Sequence, residues 1–136
     1  MMATSKQIIW RGDEPLQKGL SMKIYTSTNY SYNGPDKIDI TVKSGDKVFA
    51  PSWGIVMGHK NKQITDKQYT DAYYEMMRKS FNENQRRWLE VAKMERVVFC
   101  CYCPPDGRFC HRYILVKMFL SLCKYFGIEA TYEGEI

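Results

Sequence analysis

The chain has 136 residues, 44% of them apolar and 14% aromatic, with ten tyrosines and a formal net charge of +5. That length holds one domain with a single core and leaves no room for a second, and no internal repeat or low-complexity tract argues otherwise. The modest charge is spread along the sequence, which fits an acidic small molecule better than a nucleic-acid duplex, and no apolar run approaches membrane-span length.

Residues 1–21 are polar and weakly patterned around Gly12-Asp13-Glu14-Pro15 and read as an N-terminal extension; residues 22–136 read as a single α/β domain. Residues 22–27 alternate as a first strand, and residues 38–42 alternate as a second, closed by a turn at Ser44-Gly45-Asp46. Pro51-Ser52-Trp53-Gly54 reads as an irregular, pocket-shaping segment, because Pro lacks a backbone donor and Gly permits unusual dihedrals. His59 falls in a loop, as a solvated residue. Thr65 and Gln68 make a capping box for a helix over 66–79, with Tyr69, Ala72, Tyr73, Met76 and Met77 on one face. Ser80 and Glu83 repeat that signature ahead of a helix buried through Trp88, Leu89 and Ala92. Residues 96–102 form a buried strand. Residues 111–126 form a helix with Ile114, Leu115, Met118, Phe119 and Leu122 inward and Gly127 as its stop, and residues 128–132 form a short last strand.

This alternation predicts an α/β fold, a three-layer sandwich around a small, largely parallel, Rossmann-like sheet. Ligands of such sheets bind beyond the carboxyl ends of the strands. Thr26, Ser27 and the Cys101-Tyr102-Cys103 run lie at those ends, so they are expected to share one crevice. Five cysteines, four of them within residues 100–110, do not make a disulfide framework. The first residues lack the basic-then-apolar pattern of a signal peptide, and a reduced, cytoplasmic setting is expected.

Met22-Lys23-Ile24-Tyr25-Thr26-Ser27, the Pro51-Ser52-Trp53 region, and above all Cys101-Tyr102 followed by Phe109-Cys110-His111-Arg112 resemble the family catalogued as domain of unknown function 488. The resemblance spans roughly residue 22 to the C-terminus and implies an α/β fold with a pocket at the Cys-His-Arg loop, without an established activity. Cys103 stands where the family usually carries an acidic residue.

Read from the residues, the loop admits several chemistries. The foremost is an anion site: backbone amides of residues 107–111, Gly107 among them, and the Arg112 guanidinium hold a phosphate, while Tyr and Trp rings stack on a base. On that reading Arg112, Cys101, Tyr102, Cys103, Gly107, Thr26, Ser27, Pro51, Ser52 and Trp53 bind a nucleotide-like, phosphate-bearing small molecule. The blander reading has Arg112 paired with an internal carboxylate and Cys110 packed as a small hydrophobe.

A second chemistry makes the protein an enzyme on a nucleoside or nucleotide, with Cys110 and His111 catalytic and Cys110 or Cys103 as the nucleophile, because a thiol at a helix start beside His and Arg gains thiolate character. The spacings from Cys103 and Cys110 to Arg112 do not match the phosphatase loop. Zinc held by Cys100, Cys103, Cys110 and His111 is disfavoured by strand alternation, and no metal is expected; a redox pair of Cys101 and Cys103 is a further option. An accessory protein of a phage or mobile element that sequesters a nucleotide signal, and a nucleic-acid-associated module, complete the alternatives.

Overall fold

In a computed structural model of the chain, residues 21–103 and 109–136 are described. The chain runs β1 (Ser21–Thr28), β2 (Lys37–Asp39), α1 (Trp53–Lys60), α2 (Asp66–Glu83), α3 (Gln85–Ala92), β3 (Arg96–Cys101), α4 (His111–Phe126) and β4 (Glu129–Glu135). The four strands form one sheet in the order β2-β3-β1-β4, and every pairing is parallel. The fold is therefore the small α/β sandwich with a parallel sheet that the alternation of elements implies.

β3 lies in the interior of the sheet and is buried along Val97–Cys101, which is why its sequence is a continuous apolar run and not an alternating one. Register pairs Ile24 with Val97, Thr26 with Phe99 and Thr28 with Cys101, so these residues share one face. Onto that face pack Phe49, Trp88 and Phe119. Trp88 stacks on Phe119 at 4.9 Å between centroids, and Phe49 meets the edge of Trp88 at 5.0 Å. Each of these rings is worth about 1.5–3 kcal/mol of burial, so the aromatic cluster is the energetic centre of the core. Cys100 takes the opposite face, its thiol donating to the Val98 carbonyl at 3.7 Å.

α2 has its capping box complete, with both the Thr65 and Gln68 bonds formed. α4 ends as its sequence implies: Gly127 adopts φ 75°, a left-handed conformation that favours glycine, and Ile128 donates back to the Cys123 carbonyl at 2.8 Å.

Several boundaries differ from the sequence pattern. The expected strand over 38–42 is three residues long because the Asp39 carboxylate turns back on its own chain. It accepts from the Thr41 amide at 2.9 Å, the Thr41 hydroxyl at 2.7 Å and the Ser44 hydroxyl at 2.6 Å, bonds that compete with the ladder. The segment read as irregular around Trp53 and Gly54 is the start of α1, capped by Ser52, whose Oγ accepts from the Ile55 amide at 3.2 Å. His59 is thus helical, and its ring contacts the Asp66 carboxylate at 2.6 Å. Ser80 is no cap but an interior residue of α2. Its hydroxyl donates to the Val48 carbonyl at 2.5 Å and accepts from the Trp88 indole at 3.1 Å, and the chain breaks four residues later, at Asn84. The buried strand stops at Cys101, one residue before Tyr102, and the last strand runs on to Glu135.

Candidate functional site

The carboxyl end of β3, the segment after β2 and the N-terminus of α4 meet around a cavity of about 650 Å³. Its walls carry the rings of Trp53, Tyr69, Tyr102 and Phe109, the side chains of Lys43 and Lys60, and the residues Cys101, Cys103, Cys110 and His111. His59 lies against Phe109 with ring centroids 4.8 Å apart, and Tyr69 meets Phe109 edge-on at 5.1 Å. Trp53 is 56% exposed at the rim. Neither Lys43 nor Lys60 is in an ion pair among the described residues.

Behind this cavity lies a closed polar cluster. The sulfurs of Cys101, Cys103 and Cys110 all lie within 4.8 Å of one another, and Cys101 and Cys110 are 2.9 Å apart. Arg112, wholly buried, donates from Nη1 to Cys101 Sγ at 2.9 Å and to Cys110 Sγ at 3.2 Å. Its other nitrogens turn the opposite way, to Glu135 at 3.3 and 3.4 Å and to the Tyr113 hydroxyl at 2.9 Å. Glu135 also accepts from Thr26 at 2.6 Å and from Tyr113 at 3.1 Å. The Arg112 charge is thus balanced inside the protein by a carboxylate from the last strand.

Three thiols this close cannot ionise independently, and the charge concentrates on one of them. Hydrogen bonds from Cys101 and Cys110, with the field of Arg112 added, hold the Cys103 thiol well below its ordinary range against the opposing effect of burial. In return Cys101 is pushed up to about 11, chiefly by Cys103 beside it. Cys110 is raised as well, by its bonds to Cys101 and Cys103 and by burial. His111 is buried, and burial lowers its imidazole below 6.5 although the Ile40 carbonyl 2.7 Å from Nε2 opposes the shift. A carbonyl only accepts, so Nε2 carries the proton and the neutral ring's lone pair is at Nδ1, 3.8 Å from Cys110 Sγ.

The sequence-derived site is therefore partly assembled. Cys101, Tyr102, Cys103, Cys110, His111, Pro51 and Trp53 border the cavity. Arg112 does not border it; its guanidinium is spent on two sulfurs and Glu135. Ser52 is used as the α1 cap. Thr26 and Ser27 are buried within the sheet, Thr26 on Glu135 and Ser27 donating to the Ile136 carbonyl at 2.8 Å, so the crevice they were expected to share does not include them. Gly107 lies outside the described residues. The zinc set counted with Cys100 is not brought together, since Cys100 faces the other side of the sheet. A soft cation among the three remaining sulfurs would have to share two of them with a guanidinium. Lys43, Lys60 and Tyr69 border the cavity without a sequence signal that marks them as site residues, Phe109 is marked only within the Phe109-Cys110-His111-Arg112 motif, and nothing local marks Glu135.

The chain matches the family model DUF488-N3a, described as the active DUF488-N3 subclade, over residues 9–122. The protein belongs to the DUF488 family. Among the curated proteins and among the solved structures nothing matches the chain. The DUF488 match takes in the whole thiol cluster, His111 and Arg112, while Glu135, the carboxylate that neutralises Arg112, lies beyond it. No helix among the described residues is long and apolar enough to cross a membrane.

Proposed function

We propose that the cavity binds a nucleotide-like, phosphate-bearing small molecule, with its base against the aromatic wall and its phosphate between Lys43 and Lys60. The observation that carries this reading is the pairing of exposed rings with lysines that have no ion pair among the described residues, in a cavity of about 650 Å³. That volume falls within the range of small-molecule sites, at the carboxyl ends of parallel strands where such folds take their ligands. Stacking of a base on an aromatic side chain is worth about 1–3 kcal/mol, and a phosphate held by two ammonium groups adds salt-sensitive attraction. The role first given to Arg112 passes to these lysines.

A second reading, catalysis on the bound ligand, is favoured by one specific feature: Cys103 is only half-buried on the cavity wall and is the thiol on which the cluster concentrates its charge. The nucleophile of this reading is Cys103, and Cys110 supports it from behind. The family description as an active subclade agrees with this reading.

The test is isothermal calorimetry with a panel of mononucleotides, dinucleotides and cyclic nucleotides. One compound class should bind the native chain and bind Lys60→Ala and Trp53→Ala more weakly. Absence of binding by every compound near millimolar concentration sinks the proposal, and a steep salt dependence confined to oligonucleotides transfers it to nucleic acid. Turnover of the bound compound, lost in Cys103→Ser while binding persists, separates an enzyme from a binder.

A further inference from the structure

Ligand binding makes no use of three thiols as a set. Cys101 and Cys110 are 1% and 4% exposed, whereas Cys103 is half-buried on the cavity wall. Lone buried thiols pack as small hydrophobes and are inert. Here two buried thiols stand directly behind a reachable one, all three sulfurs lie within 4.8 Å, and a permanent cation donates to two of them. A reachable thiolate with resolving thiols beside it is the arrangement that reacts with peroxides and records the reaction as a disulfide.

We propose that the Cys103 thiol is peroxide-reactive and Cys110 its resolving thiol, so that a hydroperoxide entering the cavity closes a Cys103–Cys110 disulfide in its wall. In the first step the Cys103 sulfur attacks the terminal oxygen of the hydroperoxide. A sulfur–oxygen bond forms, the oxygen–oxygen bond breaks, and the departing alkoxide or hydroxide leaves as alcohol or water after taking a proton. In the second step the Cys110 thiol gives its proton to His111 Nδ1 and its sulfur attacks the Cys103 sulfenic acid; the sulfur–sulfur bond forms, the sulfur–oxygen bond breaks, and the hydroxide leaves as water with that proton. Two thiols and one hydroperoxide become one disulfide, one alcohol and one water, the sulfurs losing the two electrons that the peroxide gains. A low-molecular-weight thiol restores the reduced state by two exchange steps.

Cys110 is assigned as the resolving thiol because the Nδ1 lone pair of His111 faces it at 3.8 Å. Arg112 Nη1, donating to Cys110 Sγ at 3.2 Å, favours an anion at that sulfur during its attack. The chemistry does not depend on which ligand the cavity takes, so failure of the nucleotide reading leaves it standing.

The experiment treats the reduced full-length chain with one equivalent of hydrogen peroxide and follows free thiols, then maps disulfides by mass spectrometry without reduction. Titratable thiols should fall from five to three, with the bridge between Cys103 and Cys110. Cys110→Ser should accumulate a dimedone-reactive sulfenic acid at Cys103, and Cys103→Ser should lose at least about tenfold in oxidation rate. Both variants are checked for an unchanged melting midpoint, and the wild-type mapping stands even where a variant fails to fold. Oxidation of Cys103 no faster than that of the buried Cys123 overturns the proposal. So does a Cys101–Cys110 bridge that forms as fast in Cys103→Ser. Stoichiometric zinc in the purified chain, with thiols that react only after chelation, overturns it in favour of a metal site.

Discussion

The two sides of the cavity use charge in opposite ways. Below it, Arg112 is wholly buried and its donors reach two sulfurs, the Cys103 carbonyl, Tyr113 and Glu135. At the rim, Lys43 and Lys60 are exposed and have no ion pair among the described residues. A buried cation is tolerated only when its partners are in place before any ligand arrives, so a charge that is fully satisfied internally has little left for binding. An exposed lysine costs little to leave unpaired and is free to meet a ligand. The lesson is that charge type and proximity to a helix start do not identify an anion site; the decisive observation is whether the charge is already neutralised.

The comparison breaks most sharply at Arg112. Arg112→Ala leaves the Glu135 carboxylate and the thiol cluster without their cation, and the expected loss is about 3–5 kcal/mol of folding stability. Arg112→Lys should recover only part of it, because one ammonium cannot reach both the sulfurs and Glu135 as a planar fork does. Urea unfolding measures both variants. An Arg112→Ala variant as stable as the native chain would show that the cluster is not a closed electrostatic unit and would return the arginine to the ligand.

A smaller effect is expected at Ser80. Its hydroxyl serves the part-buried Val48 carbonyl and the buried Trp88 indole, so Ser80→Ala takes a partner from both. The expected loss is about 1–3 kcal/mol, against about 1 for removal of an exposed cap. Restoration of that stability in the double variant Ser80→Ala/Trp88→Phe, relative to the sum of the single losses, would identify the Trp88 contact as the one that matters.

His111 sharpens the comparison through pH. Its folded imidazole titrates below 6.5 because burial disfavours the cation. Below that pH the unfolded chain takes up a proton that the folded chain refuses, so stability falls as the pH drops through this window, by at most about 1.4 kcal/mol per pH unit. His111→Gln should flatten the melting midpoint between pH 6.5 and about 5, above the range where carboxylates take over. Equal slopes in the two proteins would mean that the ring takes up its proton at the same pH folded and unfolded, so that burial does not disfavour the cation.

Local chemistry explains how much of this was legible. The Thr65 and Gln68 cap, the Gly127 stop and the apolar run of β3 each depend on residues near in sequence, and each was found. The convergence of Cys101, Cys103 and Cys110 at the strand end is visible in the sequence as a cluster of types, though strand alternation disfavours only the set that counts Cys100 in place of Cys101. Glu135 was not found, because its link to Arg112 joins positions 23 residues apart through the pairing of β4 with β1. Only the acidic residue at the end of the last strand could have hinted at it. α1 is hidden for the opposite reason: Pro51 and Gly54 read as breakers and His59 as a loop residue, yet Gly58 is buried against Ile64, where packing decides. Lys43 and Lys60 carry no local mark that separates them from other exposed lysines.

The smallest expected effect on folding is also the most discriminating. Trp53 is 56% exposed at the start of α1 and Lys60 is exposed at its end. Replacing either by Ala should change stability by no more than about 0.5 kcal/mol, since neither change opens a core void or strands a buried partner. Loss of a stacking ring or of a phosphate contact should nevertheless weaken nucleotide binding by about tenfold or more, which corresponds to about 1.4 kcal/mol. Arg112→Lys, where it folds, should bind within a few-fold of the native chain despite its lower stability. That crossed pattern, stability lost without affinity at the buried arginine and affinity lost without stability at the rim, is what the two regions require. If affinity instead follows stability across all three variants, the rim does not bind the ligand, and the buried cluster has to open for binding to occur.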